Sequence, residues 1–363
     1  MSHLVLTKVF HDIIIILLHG RNGIKFPQKG KYLLLGAGLL KTKAPAAVAL
    51  SRGNNKFTYR IQHTLKECYK YRGLLLLLLP AFVWFAVFKY APMYGVVVAF
   101  KNYKSKYGIV GSQWLNPLFK NFTKLFNTPN FWQVFNNTLI ISLLKIAITF
   151  PAPIIFALML NEVRNQRYKK VIQTITYLPH FISWVVLAGL LRTLLSPVGG
   201  VVNDLIVAFG GQPIKFLMEK TWFRPIVIMS SLWKNIGWGS IVYLAAITGI
   251  DPTVYEAADI DGAGRFRKIF SITVPSILPV ITIMFILRMG EIMNGGFDKI
   301  VNLYNSFTYS VGDILDTYAY RMGLEKFDYS YSTAITLFKN IIGLGMVLLT
   351  NYITKRLGGE GVY

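Results

Sequence analysis

Residues 255–275 read YEAADIDGAGRFRKIFSITVP. Asp251, Glu256, Asp259 and Asp261 supply an acidic stretch, Arg265, Arg267 and Lys268 a basic one, and the chain on both sides is almost purely apolar. A compact charged insert between two apolar runs is the pattern of a loop joining two membrane-spanning helices. It carries helix signals of its own. Asp251 is a good N-cap and Pro252 suits the first helical position. Glu256 falls near the first turn, where acid is favourable, and Gly262 is the expected stop. A second short helix is expected through GRFRKIFSIT, with Phe266, Ile269 and Phe270 on one face and Pro275 ending it. Ala257 and Ala258 keep the first helix slim enough for another surface to approach closely. The plainer alternative is a solvated loop, but most such loops are short and irregular.

The composition agrees with a membrane setting. The 363 residues are 53% hydrophobic and 15% charged, with a mean hydropathy of +0.46; soluble domains average about 25% charged residues. The net charge of +23 does not mark a nucleic-acid partner, because the basic residues are spread through short segments between apolar runs. The single Cys68 excludes an internal disulfide and any cysteine-rich metal site.

Six apolar runs are long enough to cross the membrane, near 73–95, 138–160, 171–195, 225–249, 276–297 and 332–353. The expected class is therefore an all-α integral membrane protein, with a six-span domain over 71–356 that includes the charged loop 251–275. A basic cytoplasmic extension (1–70) precedes it and a cytoplasmic tail (357–363) follows. The apolar stretches at 13–18 and 33–40 are too short to span, and the extension reads as a cytoplasmic tail, with an interfacial amphipathic segment as the alternative. The first apolar run lacks the position and flanks of a cleaved signal peptide. With both termini inside, inner segments hold 22 Lys and Arg and outer segments 10, the expected bias. One outer stretch dissents: KNYKSKYG, residues 101–108, carries three lysines.

The order of residues in the insert also carries a resemblance. Glu256, Ala257, Ala258, Asp261, Gly262, Ala263, Ile272 and Pro275 match the EAA loop of the inner-membrane permeases of ABC importers, with Val274 where leucine is usual. The resemblance covers residues 70 to 360 or so, and the long DGAGRFRKIFSITVP form is similar to the carbohydrate branch, the maltose and glycerol-phosphate type. The stretch LLLLLLPAFVWFAVFKYAPMYGVVVAFKNY resembles the subgroup handling oligo- or polysaccharide fragments. The family implies a bacterial inner-membrane location and a loop that docks as a coupling helix on a cytoplasmic ATPase, present in two copies. It also implies a second homologous permease and an extracytoplasmic solute-binding protein. ATP and Mg would belong to the ATPase, and no cofactor to this chain.

The residues themselves contain no ATP-binding motif. The nearest approach, Gly30-Lys31-Tyr32, lacks the leading glycine and the Ser or Thr that would hold Mg. No metal-spaced histidines occur, and His180 reads as a hydrogen-bonded packing residue. A permease rather than an enzyme is expected.

Polar residues inside spans are costly and suggest function. In the fourth run Ser231, Lys234, Asn235 and Trp238 share a helical face; in the fifth, Arg288, Glu291 and Asn294 reach a similar depth. An aromatic face with amide, hydroxyl and charged groups suits a sugar, and Arg288 with Lys234 suits an acidic one. The alternative is structural, with Arg288–Glu291 an i, i+3 ion pair and Trp238 and Tyr243 packing or interfacial anchors. Lys145 and Lys339 stand isolated and read as facing a partner subunit or snorkelling. Rival functions are an importer of peptide or phosphate, a passive channel, and a membrane-embedded glycan-modifying enzyme. The last would need paired acidic or metal-binding residues within the spans, and Glu291 is the only clear intramembrane acid.

Overall fold

A computed structural model describes residues 72–356, and they are helical throughout apart from turns and one isolated bridge. The expectations placed on 1–70 and 357–363 lie outside the described residues. The chain divides into two units at Tyr94/Gly95. In the first, helix α1 (Arg72–Phe85) continues through a π turn (Ala86–Tyr90) into a 3-10 segment that begins at Ala91.

The second unit is built on α2 (Pro129–Thr149), α3 (Pro151–Glu162), α4 (Gln166–Tyr177), α5 (Trp184–Leu194), α6 (Lys220–Thr248) and α7 (Pro252–Ile260). It continues with α8 (Arg265–Lys268), α9 (Val274–Gly290), α10 (Phe297–Leu303) and α11 (Tyr329–Arg356). Helix α6 is central and packs on α2, α3, α4 and α9, while α11 packs on α9. Close approach of α6 and α4 depends on Gly237, where an added Cβ would lie 2.3 Å from the Thr176 carbonyl oxygen. Three apolar clusters hold the unit, centred on Phe131 and Tyr331, on Phe223 and Ile300, and on Leu160 and Ile277.

Among the described residues four helices are long and apolar enough to cross a membrane: Leu75–Phe100, Pro129–Glu162, Arg265–Gly290 and Tyr329–Arg356. The run expected as a single third span, 171–195, is instead two helices bent by 100°. Pro179 has no N–H to continue the ladder, and the Ser183 hydroxyl restarts a helix by accepting from the Val186 amide at 3.2 Å. Helix α6, at 29 residues, is long enough but too polar to pass on apolarity. Its seryl, lysyl and amide groups are satisfied by protein instead of lipid.

The fifth apolar run also differs from its expected limits of 276–297. Helix begins at Arg265 and ends at Gly290. Pro275 does not end a short helix. A π turn over Ile269–Thr273 carries the chain into α9, its wider loop tolerating a proline just beyond. The separate second helix expected in the insert is thus the first turn of the long one. At the far end Glu291–Met293 form a turn and 294–296 are irregular, with Gly296 at φ +94°, so Glu291 and Asn294 stand beyond the helix instead of within it. Any L-residue would be strained at Gly296.

Candidate functional site

Beyond the end of α9 and along the middle of α6, the helices part around a cavity of about 340 Å³. Helix α2 contributes Lys145 and Thr149, α5 Trp184, α6 Ser231, Asn235 and Trp238, α9 Arg288 and α10 Lys299. A neighbouring cavity of about 220 Å³ shares Thr149 and Arg288 and adds Tyr243 and Glu291. Four residues singled out in the sequence, Ser231, Asn235, Trp238 and Arg288, therefore line one space.

The remaining three sit differently. Glu291 pairs with Arg288 at 3.3 Å and faces the smaller cavity. Asn294 contributes through its backbone, its carbonyl accepting from Lys145 Nζ at 2.9 Å. Lys234 is buried and turned away to the break in the bent pair, where its Nζ donates to the carbonyls of His180 (2.6 Å), Pro179 (3.4 Å) and Ile182. The Pro179 carbonyl also accepts from the Ile182 amide at 3.2 Å, whereas those of His180 and Ile182 lie at the end of the 3-10 turn, where backbone donors run out and Lys234 supplies them.

The neutral polar groups are largely satisfied internally. Ser231 Oγ donates to the Val227 carbonyl at 2.6 Å and accepts from Lys299 Nζ at 2.9 Å. The Asn235 amide donates to the Ser231 carbonyl at 2.9 Å, and its oxygen accepts from His180 Nδ1 at 3.1 Å. His180 also stacks on Trp238, with ring centroids 4.5 Å apart and planes 3° from parallel. It is the packing residue the sequence suggested, covering one face of the indole.

The cations remain. Lys145, Arg288 and Lys299 face a space whose neighbouring carboxylate is Glu291 alone among the lining residues. Lys145 and Lys299 donate to neutral oxygens, so their charge stays uncompensated by a paired acid. Charges removed from water without counter-charges are costly, and an anion entering the space would relieve that cost.

Lys145 is not isolated: its Nζ bonds the Asn294 carbonyl at 2.9 Å and it lines the cavity. Lys339 is not isolated either, because it pairs with Asp316. Lys299 carries no signal in the sequence, since it lies just past the expected span and its burial comes from the packing of α10 on α5. Lys145 did carry a signal: a lysine inside an apolar run is a functional candidate by default.

The charged insert forms as its caps imply. Asp251 accepts from the Thr253 amide at 3.0 Å, a bond that holds its carboxyl below the usual carboxylate range. Gly262 adopts φ +71°. The Ala263 amide donates to the Ala258 carbonyl at 2.8 Å and the Gly262 amide to that of Asp259 at 3.1 Å, the paired bonds of a Schellman stop. The Tyr255 and Thr273 hydroxyls lie 2.8 Å apart, and Lys268 pairs with Asp259, so α7 is tied back to the helix that follows. Ile260, Phe266 and Phe270 are left exposed.

Residues 149–359 match the family described as the binding-protein-dependent transport system inner membrane component. The chain belongs to this family. Among its relatives the permease is 43% identical to the polygalacturonan/rhamnogalacturonan transport system permease protein YteP of Bacillus subtilis (strain 168), over 89% of this chain and 99% of that one. It is 44% identical to protein LplB of the same organism, over 80% of this chain and 91% of that one. Among solved structures it is similar to a chain of a bacterial alginate ABC transporter crystallised with an alginate pentasaccharide-bound periplasmic protein. The TM-score is 0.75 and the identity 42%, over 82% of this chain and 98% of that one.

Proposed function

We propose that the permease is a membrane-spanning subunit of an ATP-driven importer of acidic oligosaccharides. The observation that carries this reading is the cavity in which Lys145, Arg288 and Lys299 meet one carboxylate, Glu291, among the lining residues. Relatives named for polygalacturonan and for alginate transport support it, both polymers being rich in uronate. A uronate chain offers the cations carboxylates, and Trp184 and the free face of Trp238 offer its rings a stacking surface.

On this reading the bent pair counts as one span and α6 as another, which with the four apolar helices makes six. Both ends of the six-span unit, and α7 with its Gly262 stop, lie on the cytoplasmic side. The exposed Ile260, Phe266 and Phe270 around that helix are the groups an ATPase subunit would cover, with Glu256, Ala257, Ala258, Asp261 and Ala263 shaping the contact. Nucleotide and Mg stay on that subunit, a second permease closes the pathway, and an extracytoplasmic binding protein delivers the saccharide.

The test is uptake by the assembled transporter in a host lacking its own system. Labelled trigalacturonate should enter in an ATP-dependent manner, and unlabelled uronate oligomers should compete where maltotriose does not. Uptake of neutral oligosaccharide with no effect of uronates would remove the acidic reading.

A further inference from the structure

The outer stretch KNYKSKYG runs against the charge bias that orients the chain, and lysines on the outer side oppose that bias unless they serve something else. No Asp or Glu occurs between Glu67 and Glu162, so no acid nearby in sequence balances them. The structure separates the lysines by task. Lys101 is buried, donates to the carbonyls of Ile109 (2.8 Å) and Val110 (3.2 Å), and lies 4.8 Å over the Trp114 ring. It closes the loop. Lys106 Nζ lies 5.9 Å over the Tyr107 ring and leaves its other face to a ligand. Lys104 has no ion pair among the described residues and lines a separate cavity of about 280 Å³ with Asn102, Tyr107, Gly111 and Gln113.

That cavity is preformed. The Asn102 amide donates to the Gln113 carbonyl at 2.9 Å and the Leu115 amide to that of Phe100 at 3.0 Å, around the bridge between Lys101 and Trp114. Ser112 Oγ donates to the Gly108 carbonyl at 2.6 Å and accepts from the Lys104 amide at 3.1 Å. The Tyr103 amide reaches Ser330 Oγ at 3.0 Å, anchoring the loop to the start of α11. An added Cβ at Gly111 would lie 3.3 Å from Tyr107 Cβ, so glycine there leaves the tyrosine its place. One cation, one half-exposed aromatic ring and two side-chain amides around a small rigid hollow are the groups that hold a charged sugar.

We propose that this cradle is an outward-facing subsite for one uronate unit of an acidic saccharide. Lys104 takes the carboxylate, Tyr107 stacks on the ring, and Asn102 and Gln113 bond its hydroxyls. The proposal rests on the reading that the permease imports acidic saccharides, and it adds a second site apart from the cavity between the helices.

The test is acetylation of surface lysines on the assembled transporter by a membrane-impermeant reagent, read peptide by peptide by mass spectrometry. Trigalacturonate should protect Lys104 while maltotriose does not, and protection should vanish in Tyr107→Ala. Lys104→Ala should raise the trigalacturonate concentration for half-maximal uptake about tenfold, as loss of one charge-assisted hydrogen bond implies. In Arg288→Ala, Lys104 should remain protected, because the two sites are separate. Equal protection of the exposed Lys120 and Lys215, which lie outside the cradle, would show nonspecific screening and overturn the subsite. So would protection by sugar-free binding protein alone, which would assign the loop to a protein contact. If wild type imports trigalacturonate while Lys104 stays unprotected, the subsite fails and the importer stands; if wild type imports no uronate, the importer reading fails first.

Discussion

Lys299 Nζ donates to Ser231 Oγ across 2.9 Å, joining the short helix beyond the Gly295–Gly296 break to the middle of α6. The bond leaves the ammonium charge in the cavity, since a hydroxyl offers no counter-charge. Lys299→Gln keeps a donor for Ser231 and removes the charge. Uptake of trigalacturonate should fall about tenfold, the loss expected from one charge-assisted contact, with neutral competitors gaining relative to it. Equal loss for both saccharides would mean that Lys299 only supports the fold.

Lys234 should behave in the opposite way. Its Nζ satisfies the His180 and Ile182 carbonyls at the end of the 3-10 turn, so Lys234→Met leaves buried acceptors unpaired at a cost of about 2 kcal/mol. Thermal unfolding in detergent should shift downward, and transport of every saccharide should fall in step with the amount of folded protein. A selective loss of uronate uptake at normal stability would return Lys234 to the substrate.

At Gly262 a Cβ would meet nothing within 4 Å, yet φ is +71°. The cost of substitution is therefore conformational, about 1–2 kcal/mol for an ordinary L-residue and less for asparagine, which tolerates the left-handed region. Gly262→Ala and Gly262→Asp should loosen the stop after α7 and deplete the ATPase from mild-detergent pull-downs, with Gly262→Asn closer to wild type. Equal recovery of ATPase in all four proteins would argue against α7 as the docking element.

Gly237 presents the contrary case, a glycine required by space. A methyl there would lie 2.3 Å from the Thr176 carbonyl oxygen and 2.5 Å from its carbon, so α6 and α4 would have to separate. Gly237→Ala should cost several kcal/mol, roughly 3 or more on the scale of severe overpacking. The expected readout is little folded protein in membranes, while Gly239→Ala, which meets only Pro153 side-chain atoms at 3.1 Å and beyond, is milder.

Local chemistry was legible in the sequence wherever it acts within a few residues. Asp251 and Gly262 announced the start and stop of α7, because a cap and a left-handed stop are properties of adjacent residues. Apolar run length located the four long apolar helices, since the hydrocarbon core imposes a minimum on any chain that crosses it. The shared face of Ser231, Asn235 and Trp238 followed from helical period alone.

What the tertiary structure decided depends on residues far apart in the chain. Pro179 permits a break but does not set a bend of 100°, which is held by Lys234 some 55 positions away. Lys145 looked alone because its acceptor, the Asn294 carbonyl, lies 149 positions on. Lys299 became a cavity cation only because the chain, past the left-handed Gly296, brings α10 within hydrogen-bond reach of Ser231 on α6. A side chain's partner is fixed by where other helices pack, and no local pattern encodes that distance. The sequence by itself determined a helical membrane chain with a capped charged loop; the packing determined which of its charges face a common space.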